Sequence, residues 1–67
     1  MQVYRILKDI KSREGVCEAG REVYYDEQHK YVTVDGMLIA PQYQSIFLEI
    51  INTPELKKEY LKEVRYF

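Results

Sequence analysis

The sequence predicts an α+β fold, a small antiparallel β-meander followed by two C-terminal helices. Three observations carry this expectation. All three glycines and most β-branched residues lie in residues 1–40. Residues 41–67 repeat their apolar side chains at helical spacing. Pro41 and Pro54 stand where one element must give way to the next. Sixty-seven residues make one domain, residues 1–67, because domains rarely run below roughly 50 residues.

The first strand is expected near residues 2–10. The composition of Val3-Tyr4-Arg5-Ile6-Leu7 leans to strand, although Val3, Ile6, Leu7 and Ile10 also fit one face of a helix. Residues 11–20 are polar, with Gly15 and Gly20, and read as a long loop. Residues 21–26 and 30–34 form the clearest hairpin, joined by Glu27-Gln28-His29. Asp35-Gly36 then separates the second run from a strand over 37–40. This dipeptide is a strong two-residue turn signal, because both central positions of a type I′ turn need positive φ. Alternation puts Val23, Tyr25, Val32 and Val34 on one face, and Glu22, Tyr24, Asp26, Tyr31 and Thr33 on the other.

The first helix is expected over about 42–52, with Tyr43, Ile46, Phe47, Ile50 and Ile51 forming a complete apolar stripe. Thr53 as N-cap and Pro54 as first helical residue open a second helix over about 54–66. Leu56, Tyr60, Leu61, Val64 and Phe67 supply its apolar side. Glu59 and Glu63 sit i, i+4 on its solvated face, and Arg65 in its last turn.

The first 40 residues resemble the opening of SH3-like small β-barrels. In both, a first strand leads into a long excursion before a meander, and a glycine precedes Val23. The resemblance covers about residues 2–40 and carries no specific motif. It implies a module that binds peptides, proteins or nucleic acids, and it assigns no functional residue.

Chemistry is thinly represented. One cysteine, Cys17, and one histidine, His29, have no spacing that suits a nucleophile and its base. The glycines form no phosphate-binding loop. Asp26, Glu27 and His29 share one turn and read as a solvated tip rather than a metal site. No enzyme, cofactor or metal is expected. A net charge of −1 gives no basic stripe for nucleic acid and no acidic mimicry of it. No apolar run is long enough for a transmembrane helix. A lone cysteine and the absence of a signal sequence suggest the cytoplasm.

Seven tyrosines without a tryptophan are the unusual feature. Tyrosine offers a large rigid body with a polar tip and is enriched at interfaces. Tyr24 and Tyr31 on one sheet face, with His29 and Lys30 at its end, are the candidate binding residues. The expectation is a non-enzymatic protein-interaction module, such as a small regulatory protein of a phage or other mobile element. The less favoured alternative is a nucleic-acid-binding accessory protein using the same face. For so short a chain the gain from burial nearly cancels the cost of ordering. A second copy is therefore a candidate partner beside an unidentified protein, with Tyr66 and Phe67 docked either on the sheet or across the dimer.

Overall fold

The computed structural model describes residues 1–13 and 15–67. It has the expected α+β class. Strands β1 (Gln2–Ile6), β4 (Glu22–Asp26), β5 (Tyr31–Val34), β6 (Met37–Leu38) and β7 (Leu61–Tyr66) form one antiparallel sheet. Its order is β6-β5-β4-β1-β7. Strands β2 (Ile10–Ser12) and β3 (Gly15–Cys17) form a separate two-stranded hairpin. Helices α1 (Pro41–Asn52) and α2 (Pro54–Tyr60) lie between β6 and β7.

The central meander follows the sequence closely. Val23 faces Val34, Tyr24 faces Thr33, Tyr25 faces Val32, and Asp26 faces Tyr31. Val23 and Val32 are fully buried on the inner face. Asp26 builds the tip of this hairpin: its carboxylate accepts the Gln28 and His29 amides, and its carbonyl accepts the Lys30 amide. Asp35 and Gly36 take φ of 52° and 80°, the left-handed pair that the dipeptide predicts.

The boundaries differ in four places. The first strand ends at Ile6 instead of continuing to residue 10, and no helix forms there. The expected loop over 11–20 contains most of the β2–β3 hairpin, whose Ile10 and Cys17 pair and turn inward to the core; Glu14 lies outside the described residues. Such short strands carry too few side chains to show alternation. The third strand stops at Leu38, two residues early. The second helix stops at Tyr60, and Leu61 turns to extended backbone with φ −129° and ψ 146°. Residues 61–66 run back along β1 instead. Leu61 is buried opposite Ile6. Arg65 therefore ends no helix, and Glu59 and Glu63 pair with Lys8 and Lys57 respectively.

The core sits between the inner sheet face and α1. Tyr43, Phe47 and Ile50 of α1 are buried against Tyr4, Ile6, Val23, Val32 and Leu61. Pro41 opens α1, and the Ala40 carbonyl accepts the Tyr43 and Gln44 amides. Thr53 caps α2 through its carbonyl, which accepts the Lys57 amide; its hydroxyl makes no cap bond.

Gln44 explains the short third strand. Its side-chain oxygen accepts the Val32 amide at 2.9 Å, and its side-chain nitrogen donates to the Val32 carbonyl. The amide thus takes the position that the backbone of Ile39 would hold in a longer ladder. Gln44→Leu leaves both Val32 groups without a partner and should cost about 2 kcal/mol in urea denaturation. A cost below about 0.5 kcal/mol would show that water replaces the contact freely.

Candidate interaction face

The two faces of the sheet are treated differently. The buried residues of α1 and of the β2–β3 hairpin gather on the inner face in a single cluster. Neither described helix lies over the outer face. One register row crosses it from edge to edge: Leu38, Thr33, Tyr24, Val3 and Arg65. Tyr31 and Asp26 flank the row on one side, and Glu22, Arg5 and Lys62 on the other.

Val3 is fully buried yet stands apart from the inner cluster. Its register neighbours on this face are Tyr24 and Arg65, and the Phe67 ring stacks on Tyr24 at 6.3 Å with an interplanar angle of 3°. The Arg65 guanidinium lies 5.9 Å from the Tyr24 ring centre and 5.5 Å from that of Phe67, within cation–π reach. It also forks onto Glu22, donating at 3.0 and 2.8 Å, and donates to the Tyr24 hydroxyl at 3.1 Å. The Tyr24 hydroxyl in turn donates to Glu22 at 3.3 Å. Arg5 adds a longer contact to Glu22 at 3.5 Å. The Arg65 bond, first among these, holds the Glu22 carboxyl below its ordinary value.

A second latch lies at the end of β7. Tyr66 donates its hydroxyl to Glu27, and this bond lowers the Glu27 carboxyl and raises the phenol. Met1 and Phe67 exchange backbone hydrogen bonds at 2.9 and 2.8 Å. Tyr66 and Phe67 are therefore docked on the sheet of their own chain.

The four sequence-predicted residues separate into two pairs. Tyr24 and Tyr31 share the outer face but are diagonal neighbours, since Tyr24 stands opposite Thr33 and Tyr31 opposite Asp26. Tyr24 is half-buried with its hydroxyl engaged, whereas Tyr31 is exposed. His29 and Lys30 project from the hairpin tip beyond this face. The His29 ring lies 2.8 Å from the Asp26 carboxylate and is the main cause of that carboxyl's lowered pKa. Lys30 takes a positive φ of 55°. The sequence reading left Leu38 and Arg65 out of the candidate face, and expected Phe67 only to dock on the sheet or across a dimer. The Asp35-Gly36 turn is enough to place Leu38 opposite Thr33, whereas Arg65 reaches this face only through the register of the distant β1–β7 pair.

Cys17 is buried beside the Tyr43 hydroxyl, and burial pushes its thiol pKa up. It belongs to the hairpin under the inner face, while His29 stands exposed at the sheet tip. Among the described residues no three potential metal ligands cluster. No described helix is long and apolar enough to cross a membrane. No family model matches the chain, and no curated protein or solved structure matches it either.

Glu22, Asp26 and Glu27 all have depressed pKa values in the folded chain. A depressed carboxyl contributes stability above its unfolded pKa and loses it as pH falls through the folded value. The urea midpoint should therefore hold from pH 7 to about 5 and fall between about pH 5 and 3. Glu22→Gln should flatten that fall; an unchanged profile would show that Glu22 contributes nothing to it. Deleting Tyr66 and Phe67 should lower the melting temperature by on the order of 5 °C, about 1 kcal/mol for a domain of this size. An unchanged melting curve would mean the latch is idle.

Proposed function

We propose that this chain is a non-enzymatic protein-interaction module whose contact surface is the outer face of the five-stranded sheet. One observation carries the reading. Leu38 is 78 % exposed, Phe67 68 % and Tyr31 40 %, all on a face that neither described helix covers. Large apolar side chains grouped on one open face mark a binding surface more often than chance exposure does. Their arrangement suits recognition. The Tyr24–Phe67 stack and its bound Arg65 are held in place before any partner arrives, so little side-chain freedom remains to be lost on binding. Tyr31 and Leu38 flank this rigid centre, with Thr33 between them.

The likeness to SH3-like small barrels supports the same reading. The chain runs from β1 through a hairpin excursion into a three-stranded meander, and its last strand returns to pair with the first. That strand order follows the SH3-like pattern, with the sheet left open at β6 and two helices inserted before its final strand. We take the likeness as support for a binding module and not as a guide to its partner.

A second reading has one observation in its favour. Arg5, Lys62 and Arg65 bring three cations to the aromatic face, where a single-stranded nucleic acid would stack its bases. Glu22 already holds two of these cations. The protein reading is therefore preferred.

Affinity capture by the immobilised chain, from the cells that make it, separates the two. The double variant Tyr31→Ser with Leu38→Ser should bind a captured protein at least about 30-fold more weakly, as loss of interface anchors does. Its melting temperature should fall by only a few degrees. A partner retained equally by the variant would remove this face from the reading. Binding of a labelled oligothymidylate that weakens steeply with salt would favour nucleic acid instead.

A further inference from the structure

The free margin of β6 offers a second place to bind, through backbone groups, next to the outer face. We propose that β6 accepts a short, extended, apolar segment of a partner protein as an added strand. The direction of its backbone groups carries the argument. Gln44 bonds both the amide and the carbonyl of Val32, so Val32 directs these groups toward the β6 side of β5. In an antiparallel ladder that direction alternates from residue to residue. Val34 therefore also faces β6, and Met37 opposite it closes the Asp35-Gly36 turn. Thr33 faces β4. Leu38, opposite Thr33, directs its own N–H and C=O away from the sheet. No strand lies beyond β6 in the sheet order.

The surroundings of that margin define the occupant. A free backbone donor and acceptor on one edge call for an extended backbone, not a helix. Met37 on the inner side and Leu38 on the outer side are both strongly exposed. Beside Met37 opens a cleft of about 320 Å³ toward the β2–β3 hairpin, lined by Val16, Cys17 and Tyr43. Arg21 lines the same cleft, but Asp35 at 2.8 Å and Glu18 at 3.8 Å hold its guanidinium. Among the described residues the cleft thus offers contact to an apolar side chain and no uncompensated cation to an acidic one. Because side chains alternate along a strand, the segment would place one apolar residue in the cleft and the next over Leu38.

The same geometry limits its length. The next residue with outward groups, Ala40, already gives its carbonyl to the Tyr43 and Gln44 amides. Pairing is therefore confined to residues 36–38. A contact this short buries on the order of a few hundred Å², well below the roughly 800 Å² per partner of a stable interface. That area suits a transient peptide and not a second copy of the chain.

Selection of a phage-displayed random dodecapeptide library on the immobilised full chain tests the proposal. Enriched peptides should carry apolar residues at alternate positions. A synthetic peptide of that kind should shift the Leu38 amide in nuclear magnetic resonance and slow its hydrogen exchange. Leu38→Pro removes the outward donor, which makes no ladder bond, together with the leucine side chain. It should weaken the peptide about tenfold or more, the value of a lost hydrogen bond, while Leu38→Thr keeps the donor and loses less. Should Leu38→Pro fail to fold, exchange protection at Leu38 in the unaltered chain decides alone. Three outcomes would overturn the proposal: no enrichment, shifts confined to the Tyr31 and Thr33 amides, or a doubled mass by light scattering that Leu38→Lys abolishes. The last would assign the margin to a second copy.

Discussion

The antiparallel pairing of β1 with β7 is the contact on which the rest of the structure depends. It places β1 inside the sheet, hydrogen-bonded on one side to β4 and on the other to β7. Without β7 the backbone of Tyr4, Arg5 and Ile6 would present an open edge next to a fully apolar inner face. With it, Leu61 is drawn in beside Ile6, and the carbonyl of Tyr60 accepts the Leu7 amide. Helix α2 is consequently a short brace between α1 and the returning strand. A register shift between Val3 and Tyr4 makes Val64 the extra residue on β7. This shift lets Leu61 point inward while Arg65 lies on the outer face with Val3.

The outer face follows from that pairing. Arg65 reaches Glu22 and Tyr24 because β7 delivers it next to β1, and Phe67 reaches Tyr24 because the strand continues past Arg65. Val3 is a fully buried apolar residue on the face away from the described helices, and its register neighbours Tyr24 and Arg65 belong to the stacked cluster. The face is thus partly ordered by the chain itself, leaving Tyr31 and Leu38 as its freely accessible apolar flanks. A different arrangement appears at β5, where a single glutamine side chain replaces a strand and closes the edge near Val32.

What could be read from the sequence was whatever short-range chemistry decides. The type I′ turn at Asp35-Gly36, the Val23/Val32 alternation and the Tyr43–Phe47–Ile50 stripe each need only their neighbours. The α+β class and the shared face of Tyr24 and Tyr31 followed from these. Residues 61–66 were unreadable for a physical reason. Leu61 and Val64 extend the helical spacing of Leu56 and Tyr60, and only the unfilled edge of β1, sixty residues earlier, makes the strand preferable. Arg65 was lost to the candidate face on the same account, whereas the Asp35-Gly36 turn was enough to place Leu38 opposite Thr33. Gln44 lies outside the apolar stripe of its helix, and nothing near it in sequence reveals the backbone groups of Val32 that it bonds.

The joining of the two ends of the chain also has a kinetic side. Gln2 pairs with Tyr66, so the sheet cannot be completed until nearly the whole length of the polypeptide has been gathered. The β4–β5–β6 meander needs only short loops and can form early. Closing the β1–β7 ladder meets the entropy of a loop that spans almost the entire chain. Folding of this small domain should therefore be slow for its size, governed by a late search in which the last strand finds the first.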